Sequence, residues 1–201
     1  REGGIDELAA KLDGADPSGR VGVGHTRWST HGAPTEDNAH PHTDCEGRVA
    51  VVHNGIIENY ADLRSELAAR GHELTSDTDT EVVPHLVGEA LADGASPEAA
   101  FRAAVERLDG SYALAMVADG EDAVYATRNG SPLILGVDDG RRFLASDVPS
   151  FLEHTSRVVY LEDGDVVRVT ADAHAITALG ARPVDRPGEP LDLPPEDAAR
   201  D

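Results

Sequence analysis

The chain has 201 residues, 40% of them hydrophobic and 27% charged, which is the composition of one globular domain or two small ones with a real core. Its 38 acidic residues against 17 lysines and arginines leave a net charge of −21, which excludes nucleic acid and anionic membrane surfaces as partners. The single cysteine, Cys45, excludes an intrachain disulfide and a multi-cysteine zinc site, and the apolar runs are too short for a transmembrane helix.

In chain order, Ile5, Leu8, Ala9 and Leu12 share one face of a short helix over 4–13. Val21 to His25 predict a strand. Residues 26–47 read as a long loop rich in Thr, His, Pro, Asn and Asp, and such loops are usually functional or disordered. Val49-Ala50-Val51-Val52 predict a buried strand ending at His53-Asn54-Gly55. A helix follows over 60–70, with Asn59 as cap, Tyr60, Leu63 and Leu67 on one side, and Gly71 as terminator. Val83, Val87 and Leu91 fall in step in a helix from Thr80 to Ala92, whose Pro84 lies in the tolerant first turn. Ser96-Pro97-Glu98 opens another helix, which ends near Leu108-Asp109-Gly110.

The period then changes to two. Strands are predicted at Tyr112–Val117, Ala123–Thr127, Leu133–Leu135, Arg142–Ala145, Val158–Leu161 and Val166–Val169, with a short helix over Asp147–Leu152. Asp119-Gly120, Asn129-Gly130, Asp139-Gly140 and Asp163-Gly164 are the turns between them. From Arg182 on, Pro183, Pro187, Pro190, Pro194 and Pro195 read as an acidic linker or tail, 182–201. Helices in the middle and strands at both ends predict an α+β fold or a layered sandwich. The acids are spread along the chain, which predicts a solvated surface of the kind kept soluble at high salt. The opening Arg1-Glu2-Gly3-Gly4 lacks a signal-peptide pattern and a methionine, the start expected of an excised or processed piece.

Chemistry concentrates in residues 24–59, which hold His25, His31, His40, His42 and His53. His40-Pro41-His42 beside Asp44 and Cys45 admits a metal site. No helical HExxH or paired-cysteine spacing accompanies it, so loop-organising histidines without metal are expected. Asn54-Gly55 reads either as a hairpin turn or as an oxyanion hole built from a side-chain amide and a backbone N–H; Ile56 to Asn59 resume no alternation, which weakens the hairpin. Arg27 suits a carboxylate clamp or a structural ion pair. Asp79 suits a helix cap or a ligand ammonium. Trp28 taken alone reads as core. Cys45 lies between acids and a glycine turn, where a thiolate is disfavoured, so it is a poor nucleophile.

Several stretches together are specific. His25-Thr26-Arg27-Trp28-Ser29-Thr30-His31-Gly32 and Asn38-Ala39-His40-Pro41-His42 resemble the glutaminase domain of glucosamine-6-phosphate synthases. So do Val51-Val52-His53-Asn54-Gly55-Ile56-Ile57-Glu58-Asn59 and Ser76-Asp77-Thr78-Asp79-Thr80-Glu81-Val82. Weaker matches run through Leu108–Tyr112, Arg128–Leu133, Ala145–Asp147 and Leu161–Asp165, so the resemblance covers 1–181. It implies the four-layer αββα sandwich of N-terminal-nucleophile hydrolases. It implies hydrolysis of glutamine, with ammonia passing to an isomerase domain of the same polypeptide that makes glucosamine 6-phosphate from fructose 6-phosphate. It also implies a cytoplasmic, homodimeric parent and no cofactor.

By motif position, Arg27 would hold the glutamine carboxylate and Asp79 its ammonium, while Asn54 and Gly55 would form the oxyanion hole. Trp28, Thr30 and His31 would belong to a closing loop supported by His40. The family's nucleophile is an N-terminal cysteine whose own amine is the base. Nothing like that start is found here, and Cys45 does not match its place. The expectation is an N-terminally incomplete domain, inactive as written. Other readings are the glutaminase of another amidotransferase, such as the phosphoribosylamine-forming one, a non-catalytic module binding glutamine or a partner, and a metal hydrolase.

Overall fold

Strands from both sides of the helical middle build two antiparallel sheets in a computed structural model that describes residues 5–13, 19–27, 33 and 35–191. The first sheet runs in the order β1 (His42–Thr43), β2 (Val49–Ile57), β3 (Gly110–Ala118), β4 (Val124–Asn129), β8 (Asp165–Val169) and β9 (His174–Ala178). The second runs β10 (Glu189–Pro190), β7 (Arg157–Tyr160), β5 (Ile134–Asp138) and β6 (Arg141–Ala145).

The period of two divides β3 between two cores. Tyr112, Leu114 and Met116 face three helices, α2 (Tyr60–Ala69), α3 (Val82–Ala92) and α4 (Pro97–Val105). From the helices come Leu63, Leu67, Val83, Val87, Phe101 and Val105. On the other face, small Ala113, Ala115 and Ala126 let the second sheet pack closely through Leu135, Val159 and Leu161. The outer side of that sheet is covered by Phe151 of a 3-10 turn (Pro149–Phe151), with Val148 and Leu191. The α+β sandwich implied by the resemblance is therefore present. Of an outer helical layer over the second sheet, the described residues contain this turn. Helix α1 (Ile5–Leu12) leaves Ile5 69% exposed. Among the described residues no helix is long and apolar enough to cross a membrane.

Several details differ from expectation. Residues 21–25 form no strand. Strands β1, β9 and β10 were not predicted, being short or carrying little apolar alternation. Asn54-Gly55 is not a hairpin turn: β2 continues through it to Ile57, with Gly55 opposite Tyr112. Gly55 has φ +122°, and a Cβ there would lie 2.1 Å from the Ser111 carbonyl oxygen. Its counterpart Gly110 has φ +124°, and its Cβ would lie 2.3 Å from the Ile56 oxygen. The glycine pair lets two strand ends approach more closely than side chains allow.

Asn59 precedes α2 but makes no cap bond. Its Nδ2 donates to the Arg107 carbonyl (2.8 Å) and its Oδ1 accepts from the Asp109 N–H (3.0 Å), tying the start of α2 to the loop after α4. Ser96 does cap, accepting from the Ala99 N–H at 3.3 Å. Beyond β9 the chain stays on the body. The Val184 N–H donates to the Ile176 carbonyl at 3.0 Å, and the Arg186 guanidinium forks onto Asp165 at 2.9 and 3.0 Å. Residues 192–201 of the expected tail lie outside the described residues.

Candidate active site

A cavity of about 350 Å³ opens where the end of β2 meets the segment that leads into α3. Arg27, His40, Asn54, Gly55 and Asp79 all line it. Trp28, Thr30 and His31 lie outside the described residues. The cavity thus gathers five of the eight predicted site residues from separate parts of the chain.

Each is held by identifiable bonds. His25 Nε2–H donates to Asn54 Oδ1 at 2.8 Å, which occupies the amide oxygen and leaves the Nδ2 hydrogens to serve a ligand. Asp79 is 6% exposed, and its Oδ2 accepts the Ile57 N–H at 2.8 Å. It does not cap α3, so the helix-cap reading is corrected: the carboxylate turns toward β2 instead. Arg27 donates from Nη1 to the Ala33 carbonyl at 3.1 Å. Asn38, buried, accepts the Asp77 N–H (2.8 Å) and donates to the same Ala33 carbonyl (3.1 Å), tying Ala33 to the segment that carries Asp79.

Thr80 Oγ1 is a junction, 2.9 Å from His40 Nε2 and 2.8 Å from His53 Nδ1. Burial is the main force on both rings. It drives His40 down to about 2, helped by the positive field of its histidine and arginine neighbours. It drives His53 down to about 4, with the Asp79 charge pulling the other way. Both imidazoles are therefore neutral near pH 7. The cavity then offers one cation, one buried carboxylate and neutral donors.

Sequence reasoning missed His25, His53 and Thr80 as parts of this arrangement. The metal reading of His40-Pro41-His42 does not hold in its proposed form. His40 turns to Thr80, His42 to Thr78 at 2.9 Å, and Asp44 pairs with Arg48 Nε at 2.9 Å. Cys45 lines a different cleft, and two histidines rather than acids stand nearest its sulfur: His72 Nδ1 at 3.6 Å and His85 Nδ1 at 3.5 Å.

The glutamine amidotransferase domain family matches residues 25–153. This chain belongs to that family. Relatives named glutamine–fructose-6-phosphate aminotransferase (isomerizing) are similar throughout most of it. The one from Halobacterium salinarum is 57% identical over 174 residues, 87% of this chain and 29% of its own length. That of Methanothermobacter thermautotrophicus is 53% identical over 171 residues, 85% of this chain and 29% of its length. That of Thermus thermophilus is 46% identical over 192 residues, 96% of this chain and 32% of its length. The chain thus spans about a third or less of these relatives. In fold it is similar to the glutamine phosphoribosylpyrophosphate amidotransferase of B. subtilis, with TM-score 0.65 and 22% identity over 77% of this chain and 34% of that one. The two sheets and their helices are the sandwich of that amidotransferase.

Proposed function

We propose that this chain is the glutamine-hydrolysing part of a glutamine–fructose-6-phosphate aminotransferase. One observation carries the reading: a single cavity is lined by Arg27, Asp79, Asn54 and Gly55. An α-amino acid amide needs an anion for its ammonium, a cation for its carboxylate and donors for the oxygen of its reacting amide. Asp79, Arg27 and the Asn54–Gly55 pair match those needs one for one. His25 fixes which end of the Asn54 amide faces the substrate. Trp28, Thr30 and His31 close over bound glutamine, and His40 supports them.

The attacking thiol is not Cys45, which lies outside this cavity. An N-terminal cysteine from a longer parent supplies it, with its own α-amine as base. The isomerase part of that parent receives the ammonia and converts fructose 6-phosphate to glucosamine 6-phosphate. The parent acts as a cytoplasmic homodimer. The 42–57% identity to the sugar-phosphate enzymes favours this acceptor over the phosphoribosyl one, whose likeness is 22%.

The test is glutamate release by the parent enzyme. Asn54→Ala is expected to lower kcat by about 10²–10³-fold with little change in KM, as for removal of one oxyanion donor. Arg27→Ala and Asp79→Asn are expected to raise KM for glutamine. An unchanged kcat in Asn54→Ala overturns the oxyanion assignment. Glutamate release by the 201-residue chain alone overturns the placement of the nucleophile.

A further inference from the structure

On the far side of the segment that carries Asp79 lies a second, larger cleft of about 540 Å³. Three ligating atoms from three parts of the chain meet at its edge, Cys45 and His85 lining the cleft and His72 standing against them. Cys45 comes from the turn between β1 and β2, His72 from the loop after α2, and His85 from α3. The Cys45 sulfur lies 3.6 Å from His72 Nδ1 and 3.5 Å from His85 Nδ1, and the two nitrogens are 3.2 Å apart. We propose that Cys45, His72 and His85 bind one divalent metal ion of the zinc type, with a fourth position open to the cleft.

The distances carry the argument first. Zinc bonds of about 2.3 Å to sulfur and 2.0–2.1 Å to nitrogen, at tetrahedral angles, place S and N about 3.6 Å apart and N and N about 3.4 Å apart. The observed triangle matches each edge within about 0.2 Å. An ion can therefore sit at bonding distance from all three ligands without any element moving.

The outer atoms of the rings agree. His72 Nε2 is 3.1 Å from Glu89 Oε1, and a carboxylate only accepts, so Nε2 carries the hydrogen and Nδ1 is a bare lone pair. His85 Nε2 faces Glu81 Oε1 at 4.0 Å, which favours the same tautomer. Carboxylates behind the distal nitrogens are the usual supports of metal-binding histidines. Both carboxylates are themselves fixed. Arg70 Nη1 donates to Glu89 at 2.6 Å, and the Ser76 and Thr75 N–H groups donate to Glu81 at 2.9 and 2.7 Å. Two ring nitrogens and a thiol sulfur lie within 3.6 Å of one another. The thiol has one hydrogen for two acceptors, whereas a cation satisfies all three once the thiol proton has left to solvent.

The surroundings favour a cation. Glu36, Asp37 and Glu73 line the cleft beside the Arg48-paired Asp44, and an excess of one sign concentrates counter-ions. Thiolate with imidazole selects zinc-like ions over magnesium or calcium, which prefer oxygen. The three ligands belong to otherwise separate elements, so the bound ion acts as a clip. It braces Glu81 through His85, and Glu81 holds the chain from Thr75 that continues to Asp79.

The test uses tag-free chain, stripped with chelator and titrated with cobalt(II) and then zinc. One cobalt per chain is expected, with the intense visible bands of tetrahedral cobalt and a thiolate-to-cobalt charge-transfer band. Equimolar zinc should bleach both. Cys45→Ser should lose the charge-transfer band, and Cys45→Ser and His72→Gln should each weaken zinc binding at least tenfold. Zinc should raise the Tm of the parent chain and leave that of Cys45→Ser unchanged. Circular dichroism establishes that each variant is folded. A folded, reduced chain that gives no tetrahedral cobalt spectrum overturns the proposal. So does a zinc response identical in the parent and Cys45→Ser. Neither readout involves glutamine, so the result stands apart from the proposed activity.

Discussion

Replacing Gly55 by alanine isolates what the glycine pair does between β2 and β3. At φ +122° an L-residue is strained before any contact is counted, which costs roughly 1–2 kcal/mol. The new Cβ would then lie 2.1 Å from the Ser111 carbonyl oxygen and 2.8 Å from Ser131 Oγ. The serine hydroxyl can rotate away, but the carbonyl belongs to the ladder and cannot move without breaking it. Overpacking of that kind costs a further 1–3 kcal/mol or so. The total is about 2–5 kcal/mol, a large share of a stability of about 5–15 kcal/mol. Gly47→Ala is the matched control. Gly47 has φ +69° with nothing within 4 Å of a Cβ, so strain alone of about 1 kcal/mol applies. Urea unfolding of both variants, with unchanged slopes, measures the difference. Gly55→Ala should be the less stable by about 1–4 kcal/mol, and its Tm lower by roughly 3–15 °C. Equal losses in the two variants would refute the close-approach argument.

Three further outcomes follow from the same structure. His40 and His53 sit at about 2 and about 4 when folded, below the ordinary 6.5. The unfolded chain takes up protons first as the pH falls through 6.5, so stability is full above that value and declines below it, by up to about 1.4 kcal/mol per pH unit for each ring. Urea midpoints should fall between pH 7.5 and pH 5, measured in 1 M salt to screen surface charge; equal midpoints would contradict neutral burial. Arg102 is 11% exposed and donates to the carbonyls of Ala178 (3.0 Å) and Leu179 (3.2 Å), joining α4 to the end of β9. Arg102→Leu should cost roughly 1.5–3 kcal/mol in urea unfolding, and a loss under about 0.5 kcal/mol would mean the carbonyls find other donors. The net charge of −21 repels itself across distances of about 10 Å in 0.1 M salt but only about 3 Å in 1 M. Tm should therefore rise between 0.1 and 2 M KCl; a flat or falling Tm removes the case for a salt-adapted surface.

How far the sequence could be read depended on whether an interaction is local. Strands such as Tyr112–Val117 were legible because they are short apolar runs, here with large Tyr112, Leu114 and Met116 alternating with small Ala113 and Ala115, and their turns are marked by Asn-Gly and Asp-Gly. Ser96 was legible because a cap needs only three neighbours. Arg27, Asn54 and Asp79 were legible as chemistry because each is conspicuous in its surroundings. Their meeting in one cavity was legible only through the family resemblance, since it depends on how three distant segments pack. His25 meets Asn54 across 29 positions, and Cys45 meets His72 across 27 and His85 across 40. Asn54-Gly55 was ambiguous in a different way. The property of Gly55 that suits a hairpin turn, freedom at positive φ, is used here to bring two strands together. Local propensity identifies that freedom without saying which structure uses it.

The segment 76–81 shows why the two clefts belong to one design problem. Ser76, Thr78, Asp79, Thr80 and Glu81 are all buried, and none is apolar. Leaving such groups unpaired would cost roughly 1–3 kcal/mol each, so the run is tolerable only if its neighbours satisfy it. They do so from both sides. Toward the first cavity, Ile57 serves Asp79, and His40 and His53 serve Thr80. Toward the second, Thr75, Ser76 and Arg64 serve Glu81, and His42 serves Thr78. Burial pushes the Glu81 carboxyl up, but the pull of the His85 imidazole 4.0 Å away and bonds from Thr75 and Ser76 outweigh it and hold it at about 2, so it stays charged. A chain bonded alternately to two walls has little freedom to shift toward either. Asp79 is therefore positioned by contacts on the opposite side of its own backbone as much as by those in its cavity, and a change at His85 or Glu81 should be felt where the glutamine ammonium is proposed to bind.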